Sequence, residues 1–438
     1  MGSYIPSTSE ERQAMLETIG ISDIHELFAH VPQEALLSRP LDLPEGQSER
    51  DVAHAMQAMA AKNVIFDHIF RGAGAYKHYI PAAVKRITSK EEFVTAYTPY
   101  QAEISQGVLQ GIFEYQTMIC ELTTMEAANA SVYDGATAAA EAAAMCRDRK
   151  RSKVLISAAA HPDVIETVKT YCQAAGAPVE LIPAKDGHTD QAALAALLTA
   201  DTACVYLQQP NYYGLIEDAE AFGQLAHEKG AKFIMGCNPI ALAVLKSPAA
   251  CGADIVVGEG QPLGLPLGFG GPYLGFMAST SAMTRKLPGR IVGETTDVDG
   301  KRAFVLTLQA REQHIRREKA SSNVCSNEAL CALTASVYMT VMGPEGLRQA
   351  AVQSMSKAHY LAEQLSAIGY QRVYEGEFFH EFVTTTPVPA ESALKALEER
   401  GILGGLPLND HEILWCATED NTKAEIDELV AILKEVRA

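Results

Sequence analysis

Short apolar runs alternate with helical segments through the middle of the chain, and this alternation constrains the fold more than any other feature. The apolar runs are residues 154–157, 179–182, 204–207, 233–235 and 255–257. The helical segments between them are residues 162–175, 191–199 and 219–229. Such a pattern is typical of an α/β protein whose mainly parallel sheet is covered by helices on both faces. We expect its ligand site at the carboxyl ends of the strands.

The two ends of the chain differ from this middle part. The N-terminal region contains helical pieces with serine caps, which either wrap a partner or pack as a lobe. The C-terminal region alternates helices with two strands, residues 379–384 and 413–417, and predicts a small α+β lobe. We predict three domains: a helical arm, a large α/β domain and a small α+β domain, over residues 1–65, 66–344 and 345–438.

The net charge of the chain narrows the choice of partners. Lys and Arg total 36 against 54 Asp and Glu, which gives a formal charge of −18. A field of this sign repels nucleic-acid backbones and anionic lipid headgroups, so we expect neither nucleic acid nor a membrane surface as a partner. No apolar run approaches the roughly 20 residues that span a bilayer, and the N-terminus lacks the pattern of a signal peptide.

Nine cysteines are scattered singly along the chain, without a Cys-x-x-Cys pair. An odd, dispersed set is typical of reduced thiols rather than of a disulfide framework or a zinc site. We therefore predict a cytoplasmic protein without a metal centre.

Four motifs, in the order in which they occur, resemble one protein family. They are Thr-Ala-Tyr-Thr-Pro-Tyr-Gln at 95–101, Phe-Glu-Tyr-Gln-Thr-Met-Ile at 113–119, Ala-Asn-Ala-Ser-Val-Tyr-Asp-Gly-Ala-Thr-Ala at 128–138, and Leu-Thr-Leu-Gln-Ala-Arg-Glu at 306–312. Together they resemble the glycine cleavage system P-protein, and in particular its N-terminal half, which many bacteria make as a separate subunit. The resemblance implies the type I fold of pyridoxal-phosphate (PLP) dependent transferases, which is that of aspartate aminotransferase.

In catalytic relatives of this fold, a lysine carries PLP as a Schiff base. Counting back from the Gly-Gly-Pro that ends at Pro272, the lysine position falls on Gln261. An amide cannot form an imine, so the resemblance implies that this chain binds no PLP and that a homologous subunit 2 carries it. If the alignment is shifted, the nearest lysines are Lys246 and Lys286, and the chain would be a self-sufficient aminotransferase.

Other positions match the remaining parts of a PLP site. By resemblance, Asn238 takes the place of the aspartate that pairs with the pyridinium nitrogen, and His161 that of the imidazole that stacks on the ring. Asp134 and Thr137 begin an alanine-rich helix whose free N–H groups would hold the phosphate. Ordinary roles remain open for these residues, namely a packed loop histidine and a helix cap.

The segment 95–107 is a second candidate region, because Tyr97, Tyr100, Gln101 and Glu103 surround a proline just before a helix. Tyrosine and amide groups on a rigid turn suit the polar wall of a site. In the P-protein family this segment lies near the active site of the neighbouring half. Arg311 could present a guanidinium to a carboxylate. The alternatives are a surface turn for the segment and a solvated helix face for the arginine.

The resemblance also implies a function. The expected complex is an α₂β₂ heterotetramer with the PLP-bearing subunit 2, which decarboxylates glycine and transfers the aminomethyl group to the lipoyl arm of H-protein. The isolated chain is then expected to be inactive. The alternative is a scaffold or regulatory pseudoenzyme subunit of another PLP enzyme.

Overall fold

The structure is a computed structural model, and it describes residues 7–37, 39–95, 98–320 and 322–436. The chain forms two compact units, Met1–Val64 and Ile65–Ala438. The helices of the first unit are α1 (Ser9–Ile19), α2 (Glu49–Ala60) and two 3-10 helices between them, Ile24–Phe28 and Gln33–Ala35. The division of the chain into three domains stays a prediction.

The second unit alternates helices and strands. Its α-helices are α3 (Ala82–Thr88), α4 (Glu91–Val94), α5 (Gln106–Thr123), α6 (Gly135–Cys146), α7 (Pro162–Ala174), α8 (Gln191–Leu197), α9 (Ala219–Glu228), α10 (Gln313–Arg316), α11 (Ala329–Ser366), α12 (Ala390–Glu398) and α13 (Lys423–Glu435). Its 3-10 helices are Ala241–Ala243, Ala249–Cys251, Ser281–Lys286, Gln309–Arg311 and Arg317–Lys319.

The strands form one large sheet and several small ones. They are β1 (His68–Ile69), β2 (Ala127–Ala128), β3 (Lys153–Ser157), β4 (Val179–Ile182), β5 (Ala184–Lys185), β6 (His188–Thr189), β7 (Thr202–Gln209), β8 (Lys232–Cys237), β9 (Ile255–Glu259), β10 (Gly275–Ser279), β11 (Val292–Thr296), β12 (Arg302–Leu306), β13 (Glu381–Thr385), β14 (Ile402–Leu403), β15 (Leu406–Asn409) and β16 (Glu412–Cys416).

The large sheet has seven strands in the order β2-β10-β9-β8-β7-β3-β4. Strands β4, β3, β7, β8 and β9 pair in parallel, and β10 pairs antiparallel with both of its neighbours. The five predicted apolar runs lie in the five parallel strands, and the prediction of a mainly parallel α/β sheet is confirmed.

Each face of this sheet has its own apolar core. In β7, Val205 and Leu207 pack into one cluster with Phe222 of α9, whereas Tyr206 packs into the other cluster with the alanines of α6. Successive side chains of a strand point to opposite faces, so a run that is apolar at every position buries both faces. The prediction that helices cover both faces is therefore confirmed as well.

The C-terminal part contains a three-stranded antiparallel sheet in the order β13-β16-β15. Its core surrounds Trp415, which is fully buried and donates its indole N–H to Thr384 Oγ1 at 2.9 Å. Helix α11 leads into this region through a kink at Gly343, whose φ of 62° lies in the left-handed region that glycine tolerates.

Several short strands were absent from the sequence-based predictions, among them those of two pairings. Strands β11 and β12 form an antiparallel hairpin. In its turn, Asp297 Oδ1 accepts the backbone N–H groups of Asp299 and Lys301. Strand β1 pairs in parallel with β14, which is more than 330 residues away in the chain. Among the described residues, no helix is both long and apolar enough to cross a membrane.

Candidate functional site

A cavity of about 510 Å³ lies at the carboxyl ends of the parallel strands. Its wall includes Gln208 from β7, Glu259 from β9, and His161 and Asn238 from the loops that follow β3 and β8. The wall also includes Asp134 at the start of α6. The cavity thus brings together three of the residues that the sequence singled out, at the edge of the sheet where a ligand site was expected.

Gln261, at the lysine position, holds a backbone segment in place. Its Oε1 accepts the N–H of Tyr76 at 2.8 Å, and its Nε2 donates to the carbonyls of Tyr76 and Leu265 at 2.9 and 2.8 Å. The side chain is 1% exposed. Because the amide both donates and accepts here, its hydrogen bonds require a glutamine or a close mimic of one.

His161 contacts the same segment. Its Nδ1 accepts the N–H of Asp163 at 3.1 Å, so Nε2 carries the proton and donates to the carbonyl of Ala73 at 2.9 Å. Gly74 allows this approach, since its φ is +106° and an added Cβ would lie 2.8 Å from His161 Nε2. Both ring nitrogens are therefore occupied within the chain.

The residues at the start of α6 cap that helix. Asp134 Oδ1 accepts the N–H of Thr137 at 2.8 Å, and Thr137 Oγ1 accepts the N–H of Asp134 at 3.1 Å. This reciprocal pair is a capping box, and it satisfies N–H groups that a helix otherwise leaves free.

Glu259 occupies the same helix end with its carboxylate. Oε2 accepts the N–H of Gly135 at 3.0 Å, and Oε1 accepts the N–H groups of Gln261 and Leu274 at 2.9 and 3.1 Å. Burial raises the pKa of Glu259 to about 7, and these three N–H groups oppose the rise. The sequence-based reasoning missed Glu259, although an acid that ends an otherwise apolar strand is a recognisable signal.

Asn238 also has an internal partner. Its Oδ1 accepts the N–H groups of Ile240 and Ala241 at 2.9 and 3.2 Å, while its Nδ2 is buried without a hydrogen bond. A neutral amide in this position cannot stabilise a protonated pyridine ring as a carboxylate does.

These residues do not fit PLP. Gln261 offers no amine for a Schiff base, and Asn238 offers no charge for the ring nitrogen. The helix end that would hold a phosphate faces the carboxyl groups of Glu259 and Asp134 instead. A phosphate placed there would meet like charge at close range, which costs free energy rather than supplying it.

The segment that Gln261 and His161 hold is also bound from the C-terminal part of the chain. Glu381 accepts the N–H of Ala73 through Oε1 at 2.6 Å and the hydroxyl of Tyr76 through Oε2 at 2.8 Å. Burial raises the pKa of Glu381 to about 7. The segment therefore lies in the cavity wall, fixed by residues that all follow it in sequence, by 88 to 308 positions.

His380, next to Glu381, lies in the same wall and is 2% exposed. Among the described residues, neither of its ring nitrogens has a hydrogen-bond partner. Burial and the nearby His78 hold the pKa of His380 well below its usual value, so the ring is neutral. The sequence analysis did not single out this pair, although a His-Glu pair inside the predicted strand 379–384 was visible.

The segment 95–107 is only partly described, and Tyr97 lies outside the described residues. Tyr100 points into the protein, where its hydroxyl donates to Asn327 Oδ1 at 2.6 Å and burial raises its pKa. Gln101 and Glu103 are exposed. The two residues are thus accessible to a partner, whereas the Tyr100 hydroxyl is engaged within the chain.

Arg311 and its neighbours form a separate buried polar cluster. The guanidinium of Arg311 donates to the carbonyls of Leu287 and Gly289, the latter at 2.7 Å. Nearby, Arg290 forms an ion pair with Glu312, whose side chain is 3% exposed. Arg311 thus contacts backbone, and no carboxylate contact of its guanidinium is found among the described residues.

Lys246 and Lys286 lie elsewhere. Lys246 pairs with Glu220 at the surface, and Lys286 donates to the carbonyl of Met145 at 2.9 Å. Neither belongs to the described wall of the cavity. In the same part of the chain that the structure describes, no group of three or more His, Cys, Asp or Glu side chains could hold a metal ion.

Comparison with solved structures defines the class of protein. The chain is similar to a sphingosine-1-phosphate lyase of Burkholderia pseudomallei, with a TM-score of 0.66 at 15% identity over 92% of this chain and 94% of that chain. It is also similar to an alanine–glyoxylate aminotransferase of Nostoc, with a TM-score of 0.59 at 19% identity over 92% and 98% of the two chains. The chain therefore has the type I fold of PLP-dependent enzymes, as the sequence predicted.

Closer relatives define the family. The family model of the glycine cleavage system P-protein matches residues 2–433. A solved glycine decarboxylase (P-protein) of the glycine cleavage system, in inhibitor-bound form, is 44% identical with a TM-score of 0.91, over 99% of this chain and 100% of that one. The chain belongs to the glycine cleavage system P-protein family.

Two curated relatives carry the name probable glycine dehydrogenase (decarboxylating) subunit 1. The protein of Desulfitobacterium hafniense is 47% identical over 99% of this chain and 100% of its own length. The protein of Desulforamulus reducens is 50% identical over 98% and 99%. These full-length matches support the interpretation as a P-protein subunit, and not the alternative of a scaffold for another PLP enzyme.

Proposed function

We propose that this chain is subunit 1 of a two-subunit glycine dehydrogenase (decarboxylating) and that it carries no PLP. Full-length similarity at 47% and 50% identity to proteins named as subunit 1 supports the assignment. The observation that supports the absence of PLP is Gln261, a non-nucleophilic amide at the lysine position. Its hydrogen bonds all go to groups of the chain itself. The PLP lysine then belongs to a homologous subunit 2.

In this proposal the reacting atoms of glycine meet PLP on subunit 2, in the cytoplasm. PLP supplies the electron sink for the carbanion that loss of CO₂ leaves. Lipoylated H-protein receives the aminomethyl group, and two copies of each subunit form an α₂β₂ heterotetramer. Residues 345–438 form a small domain of the chain, and residues 1–65 an arm.

Reconstitution tests the proposal. The isolated chain is expected to be colourless after incubation with PLP and to release no CO₂ from glycine. Adding the PLP-bearing partner is expected to restore glycine–bicarbonate exchange. Exchange by the partner alone at the rate of the complex, or an aldimine absorbance in the isolated chain that borohydride removes, contradicts it.

We further propose that Gln101 and Glu103 contribute to the partner's site. Both are exposed, and they lie just before α5 on a turn whose Tyr100 is anchored to Asn327. Tyr97 is proposed for the same role from the sequence. The Tyr100 hydroxyl and Arg311 are proposed to support that surface from inside, through their contacts within the chain.

Alanine in place of Gln101 or Glu103 is expected to lower turnover of the assembled complex about ten- to hundredfold, since a lost hydrogen bond to a charged group costs about 1.5–3 kcal/mol. Assembly and PLP content are expected to stay unchanged. Glu121→Gln is the control, because Glu121 is an exposed acid at the far end of α5. Normal turnover in both alanine variants argues against a direct contribution.

A further inference from the structure

The cavity at the strand ends is lined by acids without a cationic partner. Glu259 and Glu381 both lie in its wall, and neither forms an ion pair in the part of the chain that the structure describes. No lysine or arginine is present in the described wall. Buried carboxylates usually have a paired charge, so this cavity departs from the common arrangement.

The surroundings of Glu259 and Glu381 shift the pKa of both carboxyl groups toward neutral pH. Burial raises the pKa of each carboxyl to about 7. The titratable groups nearest to them are acids, thiols and phenols: Asp134, Tyr115 and Cys331 near Glu259, and Tyr76, Tyr212 and Cys416 near Glu381. Asp163, His161 and His380 also line the cavity, and His78, which pairs with Glu419, lies behind His380 with 6.4 Å between the two ring centroids. A cation in the cavity would therefore be stabilised when the acids ionise.

Polar groups without partners line the same space. In the described part of the chain, His380 is 2% exposed and has no hydrogen bond on either ring nitrogen, and Asn238 Nδ2 is a buried donor without an acceptor. Unmade hydrogen bonds of buried groups cost free energy, so such groups mark a place where a ligand or water completes the structure.

The same wall disfavours anions. The positive end of α6 is already in contact with the carboxylate of Glu259 and capped by Asp134. A phosphate or carboxylate group would add negative charge to a space that four acids already line, namely Asp134, Asp163, Glu259 and Glu381. The volume of about 510 Å³ is ample for a small organic molecule.

We propose that this cavity is a binding site for a small protonated amine that carries no phosphate or carboxylate group. Glu259 and Glu381, which line the cavity, balance the ammonium charge. The inference concerns the isolated chain and is independent of the proposed function. Its test measures no glycine turnover, so either idea can fail without the other.

Calorimetric titration of the full-length chain, without its partner, tests the site. The probes are propylammonium, its neutral counterpart 1-propanol, and inorganic phosphate, all in about 0.15 M salt to screen the surface charge. At pH 8 propylammonium is expected to bind in the millimolar range, which lies within the limit for a ligand of so few atoms, and about tenfold or more tighter than either other probe. Equal binding of 1-propanol or phosphate, or no saturation by propylammonium, overturns the proposal.

The pH dependence and two variants provide independent checks. Affinity is expected to fall about tenfold from pH 8 to pH 6, because a carboxyl with a pKa of about 7 becomes protonated over this range while the amine stays charged. Glu259→Gln and Glu381→Gln are each expected to weaken binding about tenfold, with the exposed Glu121→Gln as the matched control. Affinity that is independent of pH in the wild-type chain overturns the proposal even if a variant fails to fold.

Discussion

Replacing Gln261 by leucine is expected to lower the free energy of unfolding of the isolated chain by about 3–5 kcal/mol, although the two side chains have similar volumes. The change leaves the N–H and carbonyl of Tyr76 and the carbonyl of Leu265 without partners. Each buried polar group left unpaired costs about 1–3 kcal/mol. Urea unfolding measures the difference, and Gln173→Leu is the control on an exposed glutamine, with an expected change below about 0.5 kcal/mol.

Gln261→Glu and Gln261→Lys separate hydrogen bonding from charge. An ionised glutamate keeps the acceptor for Tyr76 but sets a carboxylate oxygen against two carbonyls, so we expect it to destabilise more than leucine at pH 8. Lysine keeps donors but loses the acceptor, and we expect no PLP-dependent, glycine-dependent absorbance from it. If Gln261→Leu unfolds at the wild-type urea concentration, the side chain does not hold the segment that contains Ala73 and Tyr76. A glycine-dependent quinonoid band in Gln261→Lys would show that the remaining site still supports the chemistry.

Removing the charge of Arg290 is expected to have an effect of similar size in a different part of the chain. Arg290→Met leaves the carboxylate of Glu312, 3% exposed, with only the longer contact of 3.7 Å to the half-exposed His314, and removes the guanidinium 5.1 Å from the ring of Tyr100. Breaking a buried pair on one side costs about 3–5 kcal/mol. We expect the free energy of unfolding, measured in urea, to fall by this amount.

Two comparisons make the Arg290 prediction specific. The double variant Arg290→Met with Glu312→Leu is expected to recover much of the loss, because no unpaired charge remains buried. Arg348→Met breaks an exposed pair with Glu345, whose two side chains are 54% and 62% exposed, and is expected to cost less than about 1 kcal/mol. A double variant as unstable as Arg290→Met would show that packing, rather than the unpaired carboxylate, causes the loss.

These results would describe a former cofactor site whose parts now stabilise the chain. The amide at the lysine position and the histidine at the stacking position both hold the segment that contains Ala73 and Tyr76. In a subunit whose partner carries out the chemistry, the residues at these positions are free to stabilise the fold.

Much of the fold could be predicted because its signals are local. A run such as 204–207 is apolar at every position, and only a strand buried on both faces accommodates it between helices. The hairpin of β11 and β12 was not predicted, because its strands mix polar and apolar residues. Only one residue in each of the two strands is buried. Its strand periodicity is therefore weak.

For the site, the sequence by itself determined which chemistry is absent, because the functional group of a side chain does not depend on its surroundings. Gln261 has no amine and Asn238 no charge in any fold. Only the tertiary structure decided what these positions do instead. Gln261 meets Tyr76 across 185 residues, and Glu259 meets the start of α6 across 124. Hydrogen bonds and pKa shifts of this kind arise from contacts between segments that are distant in sequence. The local sequence pattern around either residue therefore does not predict them.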